Sequence, residues 1–263
     1  MSCDNPRPFP YLNPVRVGAM LVHVLLFLLG FAALVAGAEA LVRGASKIAL
    51  ALGISPLVVG LTIVAFGTSA PEIAVSVGAV LNGKSDIAIG NVVGSNILNV
   101  LLVLGVSALI APLVVHSQII RQEVPIMIGA TLLLVVMLID GRLGPWDGAL
   151  LVALLIAYVT FLVLQSRAEN AEIREAYEHA VERSGGWDRH WSVQALLIVV
   201  GLALLVLGSN WLVDSAVVFA RALGVSDLVI GLTVIAIGTS MPEIAASIMA
   251  AIRGERDIAV GNV

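Results

Sequence analysis

Charged residues are scarce in this sequence. Only 12% of the 263 residues are Asp, Glu, Lys or Arg, whereas 59% are hydrophobic, and soluble globular domains carry roughly 25% charged residues. The formal net charge is −4 and no basic cluster interrupts the apolar runs, which argues against a nucleic-acid partner. The composition therefore predicts a chain that lies in a lipid bilayer, and it indicates no obligate protein partner.

Cysteine and histidine are also rare. Cys3 is the single cysteine, so no internal disulfide is expected, and no metal-ligating residue stands beside it. The four histidines are scattered and are interpreted as solvated or headgroup-level side chains. An intramembrane hydrolase would need a serine nucleophile with a histidine, or a set of zinc ligands, and neither pattern occurs in the sequence. We therefore predict no enzyme activity and no bound cofactor.

What the sequence does contain is an internal duplication. Residues 60–92 recur as residues 231–263, with 20 of the 33 aligned positions identical and no gap. Each copy contains Gly-Thr-Ser-x-Pro-Glu, which ends at Glu72 in the first copy and at Glu243 in the second. Equivalent positions are 171 residues apart throughout. A match of this length indicates two related structural units.

Apolar runs long enough to cross about 30 Å of hydrocarbon divide the chain into candidate membrane spans. The first run follows Arg16 and contains Ala36-Gly-Ala38, which imitates a signal peptide with its cleavage site. Its pattern recurs in mid-chain, however, so we predict a membrane span there. The seven predicted spans are 18–42, 56–81, 87–109, 124–139, 149–164, 193–213 and 227–252.

These spans suggest four regions. They are an N-terminal tail at 1–17, a five-span repeat at 18–165, a charged linker at 166–191 and a second repeat at 192–263. Five spans, an odd number, separate equivalent points of the two copies, so the second copy is expected to be inverted in the membrane. The predicted fold class is an all-α membrane protein built on an inverted-topology repeat of five transmembrane helices. Lys and Arg counts of nine against five place the N-terminus outside and the linker inside.

A proline interrupts the second span at Pro71 and the seventh at Pro242. Proline lacks an N–H, and its ring clashes with the carbonyl four residues earlier, which belongs to a glycine in both copies. Each span is therefore predicted to break or kink, freeing carbonyls at 65–68 and 236–239. Free carbonyls at membrane depth are tolerated only where they are buried in protein or line a cavity.

Glu72 and Glu243 are carboxylates inside predicted spans, and such residues are costly and functional by default. Thr68 and Ser69 stand four and three residues before Glu72, so the three side chains are expected to share one helix face. The equivalents in the second copy are Thr239, Ser240 and Glu243. Inverted symmetry would bring the two faces together at the membrane centre. Because every candidate ligand is an oxygen, the pattern favours a hard cation such as Ca²⁺ or Na⁺.

The third span adds a second set of polar residues. Ser95 and Asn99 lie four residues apart on one face and are candidate ligands, whereas Asn91 and Asn96 are interpreted as joining helices by hydrogen bonds.

Three other acidic residues lie in or near the spans. Glu39 corresponds to Asn210, so it breaks the symmetry, and a packing or gating role is favoured over direct binding. Asp86 and Asp257 stand at span ends, where they would either cap helices or attract cations to the mouth of a pathway, and helix caps are favoured.

The repeated motif, followed in the first copy by Gly-Asn-Val-Val-Gly-Ser-Asn-Ile-Leu-Asn, resembles the α-repeats of the sodium/calcium exchangers in the Ca²⁺/cation antiporter superfamily. The resemblance covers nearly all the chain from Gly18 onward. It implies ten spans in two inverted halves, which exchange Ca²⁺ against Na⁺ by alternating access. Carried over by motif match, the cation ligands would be Glu72, Ser69, Thr68, the Ala65 carbonyl, Ser95, Asn99, Glu243, Ser240, Thr239 and the Ala236 carbonyl.

The resemblance also bears on the coupling ion. Proton-coupled relatives typically have an asparagine in the segment before the glutamate, where both copies here have Thr-Ser, so Na⁺ coupling is favoured. A Ca²⁺/H⁺ antiporter is the first alternative. A cation channel with the carboxylates along a continuous pore is the second, but a broken helix in each half favours a transporter. The expected location is the inner membrane of a prokaryote, with the N-terminus outside and with Ca²⁺, Na⁺ and the lipid bilayer as partners.

The second copy departs from the family pattern at its end. Val263 corresponds to Val92, so the equivalents of Ser95 and Asn99 would fall at positions 266 and 270, beyond the sequence. The second repeat is thus truncated after its second span. We expect the reading frame to continue for roughly 70 residues and three spans, with Gly-Ser and then Asn or Asp four residues after the serine.

Overall fold

The computed structural model describes residues 14–169, 190–226 and 236–263, together with Val234. Most of the predicted tail, most of the predicted linker and the first residues of the seventh span lie outside the described residues. The described parts are helical, with no strand among them. The helices are α1 (Pro14–Leu52), α2 (Pro56–Thr68), α3 (Ala70–Leu81), α4 (Ser85–Ile110), α5 (Ile119–Met137), α6 (Pro145–Glu169), α7 (Trp191–Ala222), α8 (Ala236–Thr239), α9 (Met241–Ile252) and α10 (Arg256–Gly261).

Five of these helices, α1, α4, α5, α6 and α7, are long and apolar enough to cross a membrane. The α2–α3 pair would form a sixth span that is bent by 46°. The prediction of an all-α, multi-pass membrane protein is therefore confirmed.

The ends of several spans differ from those predicted. The first span was expected to end at residue 42, but α1 continues to Leu52 and stops before Gly53, whose φ of 64° lies in the left-handed region. Most of residues 43–52 are Ala, Leu and Ile, and Ala and Leu in particular favour helix. The few polar residues among them therefore do not end α1. Residues 166–169, assigned to the linker, belong to α6. The sixth span continues in the same way to Ala222.

The centre of the fold is the contact between α1 and α7, which meet through glycines at seven-residue spacing. A Cβ at Gly37 would lie 2.8 Å from the carbonyl oxygen of Gly201, and one at Gly30 would lie 2.8 Å from that of Gly208. Residue numbers rise along one helix as they fall along the other, so the helices are antiparallel. In the duplication, Gly30 is equivalent to Gly201 and Gly37 to Gly208. Each glycine of α1 therefore contacts the equivalent of the other α1 glycine and not its own equivalent.

This close approach follows from residue size. Small residues let two helix backbones touch in a membrane, where helix association depends on packing and not on the exclusion of water. Large side chains fill the space beside the glycines, and Leu41 and Leu205 are fully buried there. The repeated motifs pack against this closely packed α1–α7 pair.

A second close contact joins the first copy to the end of the second. A Cβ at Gly60 on α2 would lie 3.0 Å from the Cα of Ile258, and one at Gly261 on α10 would lie 2.9 Å from the carbonyl oxygen of Leu57. This contact brings α10 beside α2 and so places the two copies of the motif next to each other.

Candidate cation site

Both predicted helix breaks are present, and they have nearly the same geometry. Ser69 separates α2 from α3 with φ −80° and ψ 8°, and Ser240 separates α8 from α9 with φ −89° and ψ 8°. Pro71 and Pro242 each fall in the first turn of the following helix, where the missing N–H has no helical acceptor to lose. The sequence therefore ends one helix and starts the next at the same point of both copies.

The break overturns one prediction about the side chains. Thr68, Ser69 and Glu72 were expected to share one helix face, but Thr68 ends α2, Ser69 lies in the break and Glu72 is in the first turn of α3. Helical spacing does not hold across a bend, so the three side chains take different partners.

The partners of the two serines lie in the opposite copy. Ser69 Oγ donates a hydrogen bond to Glu243 Oε1 at 2.9 Å, and Ser240 Oγ donates to Glu72 Oε1 at 3.3 Å. Each break is thus bonded to the carboxylate of the other, and the two motifs meet at one place, as the sequence predicted.

The two carboxylates are buried and only half satisfied. Glu72 is 7% exposed and Glu243 is fully buried. The Oε2 atom of each, together with Oδ1 of Asn99, is buried without a hydrogen-bond partner among the described residues. Buried oxygens of this kind are rare and costly unless they are paired. Two carboxylates and an amide oxygen are acceptors, so a bound cation is one partner that would satisfy them.

A third buried carboxylate shows the contrast. Glu123, at the start of α5, is also 7% exposed, but it accepts hydrogen bonds from Gln118 at 2.9 Å, from Gln122 at 3.0 Å and from the hydroxyl of Tyr158 on α6. Both of its oxygens are bonded, so Glu123 joins α5 to α6 structurally. Sequence reasoning missed this cluster, because Tyr158 is 35 residues from Glu123 and the residues belong to no repeated motif.

Asn91 positions the first carboxylate. Its Nδ2 donates to the backbone carbonyl of Glu72 at 3.0 Å and to Ser76 Oγ at 2.9 Å. These bonds tie α4 to the first turns of α3, which confirms the predicted helix-joining role of Asn91. The same role is wrong for Asn96, which is exposed and donates to the carbonyl of Val92 in its own helix.

The second copy repeats the arrangement. Asn262 Nδ2 donates to the carbonyl of Glu243 at 3.3 Å and to Ser247 Oγ at 2.9 Å. Thr68 Oγ1 donates to Asn262 Oδ1 at 3.0 Å, which is a second bond between the copies. Ser247 and its equivalent, Ser76, were not predicted as parts of the site, although their identity in the duplication was a signal that could have found them.

The other predicted ligands differ in the contacts that they make. The Ala65 carbonyl accepts from the Ser69 N–H at 3.1 Å and from Thr68 Oγ1 at 3.3 Å. Ser95 is half-buried and donates to the Val92 carbonyl at 3.2 Å. The π-helical turn Asn99–Val103 packs against α9, the helix that carries Glu243. In the second copy, Ala236 begins α8 and Thr239 ends it, half-buried beside the break.

Glu39 lies outside this cluster. It forms a two-point ion pair with Arg253 at the end of α9, in which Nε donates to Oε2 at 2.6 Å and Nη2 donates to Oε1. The pair links α1 to α9, and its equivalents in the other half are Asn210 and Asn82, which carry no charge.

The two aspartates at the span ends are not N-caps. Asp86 and Asp257 lie in the first turns of α4 and α10, after Lys84 and Glu255 at the cap positions. An acidic residue in a first turn is still stabilised by the helix dipole. Asp257 Oδ1 also lies 3.1 Å from His116 Nε2. Burial raises the pKa of Asp257, and His116 partly offsets that rise.

The sequence matches the family model described as sodium/calcium exchanger protein, over residues 22–164 and 193–263. The chain belongs to the sodium/calcium exchanger family. Proteins of this family transport Na⁺ and Ca²⁺ and are transporters, not enzymes.

Two curated relatives and a set of solved structures illustrate the family match. A protein designated CaxA, from Alkalimonas amylolytica, is 43% identical over 244 residues, which span 93% of this chain and 76% of CaxA. The sodium/calcium exchanger MaX1 of Methanosarcina acetivorans is 36% identical over 277 aligned positions, covering 92% of this chain and 78% of MaX1. Structures of the sodium-calcium exchanger NCX_Mj match with a TM-score of 0.78 at 33% identity, over 92% of this chain and 77% of that one. At this identity the exchanger fold extends to the present protein.

Proposed function

We propose that the protein is a secondary antiporter that exchanges Ca²⁺ against Na⁺ by alternating access, and that it binds the cation between Glu72 and Glu243. The observation that carries the proposal is the reciprocal pair of Ser–Glu hydrogen bonds, which leaves the Oε2 atoms of both carboxylates buried and without a partner among the described residues. A divalent cation between them would balance two negative charges that are otherwise unfavourable at membrane depth.

The ligand set that we propose is the one implied by the motif match, with Glu72 and Glu243 as its charged members. It includes Ser69 and Ser240, whose hydroxyls already lie against the carboxylates, and Asn99, whose Oδ1 is free. Hydroxyl, amide and carbonyl oxygens suit Ca²⁺, which takes six to eight oxygen ligands in flexible geometry. The remaining proposed ligands are Thr68, Thr239, Ser95 and the carbonyls of Ala65 and Ala236. No group of three or more His, Cys, Asp or Glu occurs in the described part of the chain, so neutral oxygens would complete the shell.

The inverted repeat is the second part of the proposal. It is supported by the antiparallel packing of α1 and α7, which begin the two copies. It is also supported by their glycine contacts, in which Gly30 meets Gly208 and Gly37 meets Gly201. The Asn91 and Asn262 networks, which use the same three atoms in each copy, also support it. Two inverted halves with a site between them allow access to alternate from one side of the membrane to the other.

Na⁺ is the proposed counter-ion, because the residues before each glutamate are threonine and serine. Their hydroxyls supply neutral oxygen ligands that Na⁺ binds well. A proton-coupled exchanger would use the carboxylates as proton acceptors, and this alternative is an outcome of the test below. We also propose that the protein lies in the plasma membrane of a prokaryote with its N-terminus outside.

The deciding experiment is ⁴⁵Ca²⁺ uptake into vesicles that carry the gene product and are loaded with Na⁺. Uptake should follow the outward Na⁺ gradient, should persist with a protonophore under a clamped potential, and should be absent from vesicles without the protein. Uptake that is driven by a pH gradient in the complete absence of Na⁺ would instead establish Ca²⁺/H⁺ antiport. Flux that continues with no gradient of either coupling ion would indicate a channel.

A further inference from the structure

Ser209 lies on α7 beside the second helix break, outside the proposed ligand set. It is 4% exposed, and its Oγ donates a hydrogen bond to the carbonyl oxygen of Gly238 at 2.6 Å. Gly238 lies in the last turn of α8, and carbonyls at the end of a helix have no helical N–H donor. A side chain from a neighbouring helix therefore completes the hydrogen bonding of the broken span, as a membrane interior requires.

The first copy has no hydroxyl at the equivalent position. The counterpart of Ser209 is Ala38, which is 1% exposed and carries only a methyl group. The counterpart of Gly238 is Gly67, and a Cβ there would lie 2.6 Å from Cδ2 of Leu202 on α7. A Cβ at Gly238 would likewise meet an apolar side chain, at Cγ2 of Val213, so the two breaks differ in the hydroxyl of Ser209 and not in their apolar cover.

The bond from Ser209 acts on residues that reach the carboxylates. The carbonyl of Gly238 belongs to the peptide that leads into Thr239 and then Ser240, whose hydroxyl donates to Glu72. Glu243 follows in the next helical turn, and both Ser240 and Glu243 are fully buried. Fixing one peptide plane at the break thus restricts the directions in which these two side chains point.

We propose that Ser209 is a positioning residue for the divalent-cation site, which holds the second break in the geometry that binds the ion. The first break has no hydroxyl at the equivalent position, where Ala38 stands. This inference rests on the proposed function, because it assigns Ser209 to the same site. Loss of the Ser209 hydroxyl removes the hydrogen bond to the buried Gly238 carbonyl, so the second break is no longer held in one geometry. The loss therefore weakens cation binding more than it slows transport.

The test compares three variants of the full protein in liposomes. Ser209→Ala removes the hydroxyl, and Ser209→Thr keeps it. Ser215→Ala is the matched control, since Ser215 is fully buried on the same helix but bonds only to the Trp211 carbonyl of its own helix, at 2.7 Å. Initial rates of Na⁺-driven ⁴⁵Ca²⁺ uptake are measured across a range of Ca²⁺ concentrations, with rates normalised to folded protein.

Ser209→Ala should raise the half-saturating Ca²⁺ concentration by about 3- to 10-fold with the maximal rate unchanged. Ser209→Thr should restore the wild-type value, and Ser215→Ala should not differ from wild type. Equal half-saturation in the Ser209→Ala and Ser215→Ala variants would overturn the proposal. So would a Ser209→Ala variant whose only defect is a lower yield of folded protein.

A second readout separates this inference from the proposed function. The thermal unfolding temperature of the purified protein is measured in detergent with and without Ca²⁺, which requires binding but no exchange. A wild type that is stabilised by Ca²⁺ but does not exchange it would contradict the antiport proposal alone. The Ser209 inference would then stand if Ser209→Ala shifts the stabilisation to higher Ca²⁺ concentrations, and it would fail if the shift is absent. A wild type that Ca²⁺ does not stabilise would overturn both.

Discussion

The breaks at Ser69 and Ser240 have almost the same backbone angles, yet different neighbours hold them. The contacts that converge on the carboxylates are the same in both copies: a serine bonded to the opposite glutamate, and an asparagine bonded to the glutamate carbonyl. The contacts farther from the carboxylates differ, as Ser209 and Ala38 show at the two breaks. The two copies thus make the same contacts at the carboxylates, where a cation would bind. At the two breaks, farther from the carboxylates, their contacts differ.

The same division separates the two ends of the fold. At the end of α9, Arg253 pairs with Glu39 of α1. In the other half the equivalent positions are Asn82 and Asn210, and Asn82 donates to the Gly78 carbonyl within its own helix. Among the described residues, an ion pair therefore joins one pair of positions, and the equivalent pair carries no charge.

The largest effect is expected from the symmetric carboxylates. Glu72→Gln and Glu243→Gln should each reduce Ca²⁺ exchange to background, because each removes an anionic ligand that no neighbour replaces. The protein should stay folded, since glutamine retains the acceptor for the serine hydroxyl. Na⁺-driven ⁴⁵Ca²⁺ uptake and size-exclusion chromatography in detergent measure the two properties. Near-normal flux in either variant would refute the site assignment.

Substitution in the glycine contact should be the next most damaging. Gly37→Leu and Gly208→Leu are equivalent changes, and a Cβ at either position falls within 2.8 Å of a backbone oxygen. Each should destabilise the protein by at least about 1–3 kcal/mol through overpacking, seen as a lower unfolding temperature in detergent. Gly129→Leu on α5 is the control, because its Cβ meets no described atom within 4 Å. Equal stability of all three variants would contradict the close α1–α7 contact.

The asparagines should produce a smaller, matched effect. Asn91→Leu and Asn262→Leu each remove two hydrogen bonds that position a glutamate, and such supporting residues are typically worth about 10- to 100-fold in metal affinity. The half-saturating Ca²⁺ concentration should rise similarly in both variants. Asn96→Leu, at an exposed position on the same helix as Asn91, should leave it unchanged. Different losses for Asn91 and Asn262 would show that the symmetry of contacts is not a symmetry of function.

The smallest effect is expected at the ion pair. Glu39→Gln should lower stability by only about 0.2–1 kcal/mol, because both partners are about one-third exposed and such pairs are weak. A cycle with Arg253→Gln isolates the coupling, measured as the unfolding temperature of the two single variants and the double variant. A coupling near zero would show that the pair does not distinguish the two ends.

The helix breaks and the meeting of the two motifs could be predicted from the sequence, and most individual hydrogen-bond partners could not. Pro71 inside an apolar run is enough to predict a helix break, and Glu72 beside it is enough to predict a functional carboxylate, because both arguments use only nearby residues. The partner of Ser69 is Glu243, which is far along the chain. The sequence placed Ser69 and Glu72 on one helix face, and that expectation failed because the bend divides the helix on which the spacing depends.

Other misses have similar causes. The ion pair of Glu39 was not predicted, because no spacing rule connects a residue of α1 with Arg253. The role of Asn96 was wrong because the sequence shows that an amide lies in a span but not which side of the helix meets a neighbour. The helix ends were misplaced where the sequence becomes less hydrophobic but still favours helix. The end of α1 is an example, because the apolar run stops near residue 42 and the helix continues to Leu52.

The π-helical turn Asn99–Val103 has a consequence for chain length. In this turn the Leu104 N–H donates to the carbonyl of Asn99, five residues earlier, and not to that of Val100. The turn therefore holds one residue more than an α-helix needs to cover the same rise. Removal of one residue from the turn, such as Leu101, which is 72% exposed, would let α4 close into a regular α-helix. In that helix each backbone N–H of the turn would donate to the carbonyl four residues earlier. The direction of Asn99 would also change by about 100° relative to the residues that follow the turn.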